Sequence, residues 1–279
     1  MLSRPKHLVI LVIIVILSNV ISSPAQTNNI KYLSSYQSAL GSNLSVLPGV
    51  YGALSNPGTI ASTDENYAVL ATTEQRFFLG SLNSTSIAAI KKIGEYDYLG
   101  LSFGSFGIDE FKEQRLTLSY SRKIAENVSL GSTASYYTKS IEEYGSESDF
   151  DLNIGFMLKI RDDLELGAAL YNIFSNENKG YLRENTEVVA GLRYLLSDKV
   201  NWFLEIRTDF KGYNVFSTGL SYQVVDQFNL QLGMNTLDSG ISIGLSYSIS
   251  SSLKMNASSR SNQNLGISPG LSIKYSKGD

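Results

Sequence analysis

Apolar and polar residues alternate with a period of two from about Tyr96 to Tyr275, and this pattern constrains the fold more than any other feature of the sequence. A period of two is that of a β-strand, because successive side chains of a strand point to opposite faces. The residues between the apolar ones are mostly Gly, Ser, Asn and Gln. The clearest apolar faces are Phe150, Leu152, Ile154, Phe156, Leu158 and Ile160; Phe228, Leu230, Leu232 and Met234; and Ile241, Ile243, Leu245, Tyr247 and Ile249.

The length of these segments separates a membrane barrel from a soluble β-domain, whose strands also alternate. The segments run about ten residues, enough to cross a bilayer when tilted, whereas soluble strands average about five or six. We therefore predict an all-β fold, a transmembrane antiparallel β-barrel of about 14 strands, apolar outside and polar inside. Because the first two strands are weakly patterned, twelve is the alternative. The predicted strands are 69–79, 83–92, 96–106, 114–124, 127–139, 148–161, 163–174, 185–197, 199–210, 213–225, 227–236, 239–250, 252–260 and 266–276.

Short and long connections alternate along the chain. Asp and Asn suit the short turns because their side chains hydrogen-bond to the nearby backbone. Longer polar connections are predicted at residues 104–114, 139–149 and 175–187. Outer-membrane barrels have short periplasmic turns and longer external loops, so this alternation supports the same topology. The short turns are Glu126-Asn127-Val128, Asp162-Asp163-Leu164, Asp198-Lys199-Val200, Asp226-Gln227-Phe228 and Ser251-Ser252-Leu253.

The first 25 residues have the layout of a secretory signal peptide. Arg4 and Lys6 precede an apolar run from Leu8 to Ile21, and Ser23-Pro24-Ala25 supplies small residues before a cleavage site. An uncleaved anchor helix is the alternative, although the apolar run is shorter than the roughly 20 residues that a membrane-spanning helix needs. We predict export to a bacterial outer membrane, with a mature chain that starts at Gln26.

Residues 26–65 precede the first strand and do not alternate. They carry Tyr, Leu and Val side chains among Ser, Gly and Asn, and they contain a tight turn at Asn56-Pro57-Gly58. A free tail would lack so many large apolar groups. A fourteen-stranded barrel is too wide for its own side chains to fill. We predict that residues 26–65 form a plug inside a barrel made of residues 66–279; a disordered periplasmic tail is the alternative.

The composition argues against most kinds of enzyme. The chain has no Cys, and its one histidine, His7, lies in the predicted signal peptide. Nucleophile triads that need His or Cys, and zinc sites made of the same residues, are therefore excluded from the mature chain. A working pair of carboxylates survives this filter, but no pattern singles one out. We predict no catalytic residue, cofactor or metal, and, at a net charge of −3, no nucleic-acid partner.

Three charged residues are predicted to face the lumen: Arg193, Glu205 and Arg207. Folding the chain about the turn at 197–199 is expected to bring Arg193 beside Glu205. Such charges select solutes in many pores. The other interpretation is an ion pair that braces the wall or holds the plug.

Most of the mature chain resembles a known family at the level of pattern, with the Asn56-Pro57 turn as its one strict motif. Ser38-Ala39-Leu40-Gly41, Leu54-Ser55-Asn56-Pro57 and Gly104-Ser105-Phe106-Gly107 are similar to the PorV/PorQ-type barrels of type IX secretion. That family lies within the FadL-like superfamily of fourteen-stranded barrels with an N-terminal hatch. The chain departs from that family in two places. It has Asn56-Pro57-Gly58 where the family usually has Asn-Pro-Ala. Many of these barrels end on an aromatic residue, whereas here Tyr275 is followed by further residues to Asp279.

Two functions follow from this resemblance. The first is a scaffold in a type IX secretion or surface-attachment system, with secreted or surface proteins and outer-membrane lipid as partners. The alternative is a FadL-like barrel that transports small hydrophobic solutes. An apolar cavity in the lumen would favour transport, whereas a filled lumen with an exposed patch on the loops would favour a scaffold.

Overall fold

The computed structural model describes residues 32–174, 185–210 and 212–278. Its strands form one closed antiparallel barrel in which each strand pairs with its sequence neighbours and the first pairs with the last. The strands are β1 Glu65–Gln75, β2 Asn83–Lys92, β3 Asp97–Gly107, β4 Phe111–Ala125, β5 Val128–Ile141, β6 Gly145–Arg161, β7 Leu164–Tyr171, β8 Glu187–Ser197, β9 Val200–Asp209, β10 Asn214–Val225, β11 Phe228–Asn235, β12 Gly240–Ser248, β13 Leu253–Asn262 and β14 Gly266–Gly278.

The predicted architecture is confirmed, with fourteen strands in a closed barrel. Within the described ranges, no helix is long and apolar enough to cross a membrane. The predicted signal peptide lies outside the described residues, as do residues 175–184 of the predicted loop at 175–187.

The outer face of the barrel is apolar and the inner face is mostly polar. Ile154 and Leu232 are each 50% exposed, whereas their strand neighbours Asn153 and Gln231 are buried in the interior. A closed barrel satisfies every backbone hydrogen bond within its own sheet, so an apolar exterior can face lipid. The predicted division of these side chains between the outer and the inner face is therefore correct.

Strands β4 to β6 extend further than the sequence predicts. Two predicted long loops, 104–114 and 139–149, are largely strand, because β3 ends at Gly107, β4 begins at Phe111, β5 ends at Ile141 and β6 begins at Gly145. Polar cross-strand pairs such as Thr138 with Ser148 continue the ladder. The polar composition of these segments predicts loops. It belongs instead to strands that extend the barrel beyond the apolar band of its outer face.

The chain ahead of β1 lies inside the barrel. Residues 33–61 are almost all buried, and they contain a short helix, α1 Ser35–Ala39, and 3-10 turns at Gly49–Leu54 and Pro57–Thr59. The main apolar cluster of the protein joins this segment to inward-facing wall residues. The described part of the predicted plug, residues 32–64, is thus a core around which the barrel closes; residues 26–31 lie outside the described chain.

Candidate functional site: the plugged lumen

The plug has its own internal hydrogen bonds. At the start of α1 the Ser34 hydroxyl accepts from the Gln37 amide (3.2 Å), and the Gln37 side chain accepts from the Ser34 amide (3.1 Å). This reciprocal capping satisfies donors that a short helix would otherwise leave free. The Gln37 amide group also donates to the Ser55 hydroxyl (3.0 Å), so it ties the helix to the later part of the plug.

Three pairs of inward-facing glycines mark where the plug backbone rests on the wall. Directly opposed across neighbouring strands are Gly131 and Gly155, Gly167 and Gly191, and Gly219 and Gly233. A Cβ on Gly155 would lie 2.8 Å from the Gly58 amide nitrogen, and one on Gly219 would lie 2.7 Å from the Leu40 carbonyl oxygen. Glycine permits this close approach of two backbones because it has no Cβ. The wall is therefore shaped to the plug.

The predicted turn Asn56-Pro57-Gly58 lies against one of these glycine pairs. The Asn56 side chain accepts from the Gly58 amide (2.9 Å), which closes the 3-10 turn at Pro57–Thr59. Its amide group donates to the carbonyls of Ser45 (2.7 Å) and of Phe156 in β6 (3.0 Å). One side chain thus shapes the turn and fastens it to the wall.

Glu205, a predicted lumen residue, binds the plug directly. Its Oε2 accepts from the amides of Leu44 (2.7 Å) and Ser45 (2.8 Å) and from the Ser45 hydroxyl (2.8 Å). Hydrogen bonds to a charged acceptor are about twice as strong as neutral ones. This arrangement agrees with the interpretation in which the charge holds the plug; a role in selecting solutes stays a prediction.

The other two predicted lumen charges differ in their surroundings. Arg207 is buried in the lumen, with its Nη2 3.6 Å from Glu205 Oε1. The predicted contact between Arg193 and Glu205 is wrong: Arg193 lies opposite Phe203 and pairs instead with Glu165 in β7 (2.7 Å). Folding about residue 198 places Arg193 between Phe203 on β9 and Glu165 on β7, directly opposite both, whereas Glu205 lies opposite Gly191, one inward row away.

A second ionic network joins the plug to the wall. It lies in the half of the barrel whose loops connect an odd-numbered strand to the next even-numbered strand, as the loop from β11 to β12 does. Arg260 in β13 donates to Glu74 (2.7 Å), to Asp238 (3.1 Å) and to the Ser42 hydroxyl of the plug (3.3 Å). Ser38 of the plug donates to Glu74 (3.0 Å). The loop between β11 and β12, the wall and the plug therefore share one set of charges, which the sequence analysis missed because the partners lie far apart in the chain.

Two plug tyrosines contact each other at the centre of this segment. The rings of Tyr36 and Tyr51 lie 5.5 Å apart, and the ammonium of Lys274 is 5.1 Å from the ring of Tyr51. Burial raises the pKa of both hydroxyls, so both tyrosines stay neutral.

Besides a small patch of Ala169, Tyr171 and Val189 on β7 and β8, the inner wall has one larger apolar area. We call it the apolar strip: Ala68 and Leu70 of β1, Ala88 and Ile90 of β2, and Tyr98 of β3, all buried. Ala68 lies opposite Ile90, and Leu70 lies opposite Ala88. Val46, Leu47, Val50, Ala53 and Ile60 of the plug belong to the same apolar cluster. Elsewhere the inner wall is lined mainly by Ser, Thr, Asn, Gln and charged residues.

An open cavity of about 790 Å³ lies between residues 61–64 and the wall at the end of the barrel that holds the short turns. Beyond it, the lumen that remains beside the plug is small and polar. A cavity of about 70 Å³ lies between Tyr32, Ala53 and Leu54 of the plug and wall residues that include Asn153 and Tyr171. By comparison, a cavity of about 150 Å³ is known to bind benzene. In the described part of the chain the lumen is therefore filled, and passage of a solute requires the plug to move.

Comparison with known proteins places the fold. No family model and no curated protein matches the chain. Among solved structures, the toluene transporter TbuX of Ralstonia pickettii has a TM-score of 0.68 at 10% identity, covering 90% of this chain and 99% of that one. The toluene transporter TodX of Pseudomonas putida has a TM-score of 0.68 at 11% identity, covering 90% and 100%. A FadL homologue of Pseudomonas aeruginosa has a TM-score of 0.63 at 13% identity, covering 90% and 98%.

These similarities establish the fold of the FadL-like, fourteen-stranded outer-membrane barrels. A closed barrel with an apolar exterior belongs to a bacterial outer membrane, so the predicted location is confirmed. The narrower resemblance to PorV/PorQ-type barrels, and with it type IX secretion, gains no support from these structures.

Proposed function

We propose that this chain is an outer-membrane transport barrel that admits small hydrophobic solutes when its plug shifts. The observation that carries the proposal is the apolar strip, the larger of two apolar areas that lie beneath the plug on a mainly polar inner wall. The FadL-like alternative is thus preferred to the scaffold. Export through a signal peptide at residues 1–25 is part of the proposal.

The apolar strip supplies a path for a hydrophobic solute. An aromatic ring that buries about 150 Å² of apolar area gains roughly 4 kcal/mol, at about 25 cal/mol per Å². A wall of hydroxyls and amides offers no such gain. The plug covers the strip with its turn Gly49–Leu54, which carries Val50 and Ala53, so its displacement exchanges one apolar contact for another.

The fold neighbours agree with this solute class. They are described as toluene transporters and as monoaromatic hydrocarbon channels. With identities of only 10–13%, they support the class of solute and not a particular compound.

A scaffold would also fit a filled lumen, which is the outcome that the sequence analysis assigned to it. A scaffold gives no reason, however, for apolar side chains to line three adjacent strands beneath the plug. The strip is therefore the better guide to function.

Toluene uptake tests the proposal. Uptake of labelled toluene at low concentration is measured in a bacterial host that lacks its own hydrocarbon channel, with and without this protein. We expect faster uptake with the protein. Ala88→Ser, which puts a hydroxyl in the strip, should slow uptake, whereas Ser86→Ala, on the same strand and face outside the strip, should not. No increase over the host alone would contradict the proposal.

A further inference from the structure

Two buried side chains of the inner wall, Tyr171 and Arg207, make no hydrogen bond within the part of the chain that the structure describes. Tyr171 and Arg207 are 8% and 3% exposed. Among the described residues, neither the Tyr171 hydroxyl nor any guanidinium nitrogen of Arg207 makes a hydrogen bond. Buried polar groups are almost always hydrogen-bonded, so unmatched donors in one region indicate a missing partner.

The strand register brings the two residues near each other. Ala169, Val189 and Arg207 lie opposite one another on β7, β8 and β9, and the next inward row is Tyr171, Glu187 and Asp209. Arg207 and Tyr171 are thus on adjacent rows of one patch, with Val189 between them. Leu33 and Leu44 of the plug cover this patch, in one apolar cluster with Ala169, Tyr171 and Val189.

The surroundings have the composition of a small-molecule site. Such sites are mostly apolar, with a few polar groups that fix orientation. Tyr171 also lines the 70 Å³ cavity beside the plug. That volume is too small for a ring, but displacement of Leu33 and Leu44 would enlarge it towards Arg207.

The charges of the patch decide which ligand group would fit. Glu205 lies 3.6 Å from Arg207, and the carboxylates of Asp209 and Glu187 occupy the adjacent row. Three carboxylates beside one guanidinium disfavour a further negative charge. A neutral oxygen accepts a hydrogen bond from Arg207 or Tyr171 without that repulsion.

We propose that Tyr171 and Arg207 bind a neutral oxygen of the solute, so that the barrel selects small hydrophobic alcohols, phenols or ketones over bare hydrocarbons. This inference rests on the proposed transport function and names its substrate class. Tyr171 donates to the oxygen, and the apolar body of the solute takes the place of the Leu33 and Leu44 side chains.

Equilibrium binding of toluene and of p-cresol, which differ by one hydroxyl, tests this substrate class. The full chain is reconstituted in lipid nanodiscs, and the partition of each compound into empty nanodiscs is subtracted. The variant is Tyr171→Phe, which removes only the orphan hydroxyl and should fold. The control is Tyr137→Phe, a change of another inward tyrosine that does not line the cavity.

We expect wild type to bind p-cresol more tightly than toluene. Tyr171→Phe should weaken p-cresol binding by roughly threefold to tenfold, the value of one neutral hydrogen bond, and leave toluene binding unchanged. A structural role would change both ligands alike. Equal affinity for the two compounds, or a Tyr171→Phe variant with wild-type p-cresol affinity, would overturn this inference and leave hydrocarbon transport standing. Binding of neither compound, together with no toluene uptake, would overturn the proposed function as well.

Discussion

Glu205 of the wall holds Ser45 of the plug by both its amide and its hydroxyl, each at 2.8 Å. The carbonyl of the same Ser45 accepts from the Asn56 side-chain amide (2.7 Å), which also donates to the carbonyl of Phe156 in β6. One plug residue is thus fixed from two sides. Any movement that uncovers the apolar strip has to break these contacts.

Weakening this contact should loosen the plug locally. We predict that Glu205→Gln raises amide hydrogen exchange at residues 44 and 45 by roughly fivefold, because hydrogen bonds to a charged group contribute about 1 kcal/mol more than neutral ones. Hydrogen–deuterium exchange of the protein in nanodiscs measures this. Glu165→Gln is the control, since Glu165 pairs with Arg193 and not with the plug. Equal exchange in both variants would mean that Glu205 does not hold the plug.

The glycine pairs make a second prediction. Gly155→Ala should destabilise the protein by about 1–3 kcal/mol, the usual cost of overpacking, because the added Cβ would meet Gly58 and Pro57 at 2.8 Å. Thermal unfolding monitored by circular dichroism in detergent measures the change. Gly80→Ala is the matched control, because nothing lies nearer than 3.9 Å to its Cβ position. A Gly155→Ala variant as stable as Gly80→Ala would argue against a close-fitting plug.

The sequence predicts the barrel well where its two faces differ in polarity. The segments predicted at 227–236 and 239–250 correspond to β11 Phe228–Asn235 and β12 Gly240–Ser248. It fails at β1, predicted at 69–79 and observed at Glu65–Gln75. In β1 the inward residues Ala68 and Leu70 are as apolar as the outward Tyr67 and Val69, so the alternation disappears. The alternation is weak in β1 because its inward residues belong to the apolar strip.

Contacts between distant parts of the chain could not be predicted in the same way. The inward face of Gly131, Gly155 and Gly167 follows from period two, but only the structure shows that plug backbone lies on them. Glu165 and Glu205 both face inward near Arg193, and only the strand pairing shows that Glu165 lies directly opposite it while Glu205 lies opposite Gly191. Residue types and faces were therefore predictable, whereas pairings were not.

The corrected pairing of Arg193 can be measured by double-mutant cycles. We predict a coupling energy of about 1–3 kcal/mol between Arg193 and Glu165, which lie 2.7 Å apart and are partly buried. Between Arg193 and Glu205 the coupling should stay within about 0.5 kcal/mol, as for separated sites. Each cycle combines Arg193→Gln with the corresponding Glu→Gln change and is read by unfolding in lipid. A larger coupling energy for Arg193 with Glu205 than for Arg193 with Glu165 would contradict the observed pair and support the one predicted from the sequence.

The lipid face predicts a dependence on depth. Ile154→Arg, near the middle of β6, should cost about 2–4 kcal/mol in lipid, whereas the same change at Ile160, next to the end of that strand, should cost about 0–1 kcal/mol. Unfolding in phospholipid vesicles gives both values. Changes at inward positions are poor controls for this measurement. In an open pore such changes are expected to cost little, but here Asn153 accepts from the Asn172 amide and donates to Thr133. Equal costs at the two positions would place β6 at a different depth.

A reversible lock tests the central claim, that the plug must move for a hydrophobic solute to pass. The chain has no cysteine of its own. Ser35 of α1 and Ser258 of β13 have buried hydroxyls without hydrogen-bond partners among the described residues. The two hydroxyl oxygens lie near each other, at 3.1 and 3.0 Å from the position that a Cβ on Gly270 would occupy. Replacing both by cysteine should allow a disulfide between plug and wall at little cost to the native structure.

Toluene uptake by the Ser35→Cys, Ser258→Cys double variant is the most direct measurement, made oxidised and then after reduction, with each single variant as the control. Mass spectrometry establishes that the disulfide has formed. We predict uptake at the rate of the host alone when the bond is closed, recovery on reduction, and no effect of oxidant on either single variant. Uptake by the oxidised double variant as fast as by its reduced form would contradict the account, because solute would then pass a plug that cannot leave the wall.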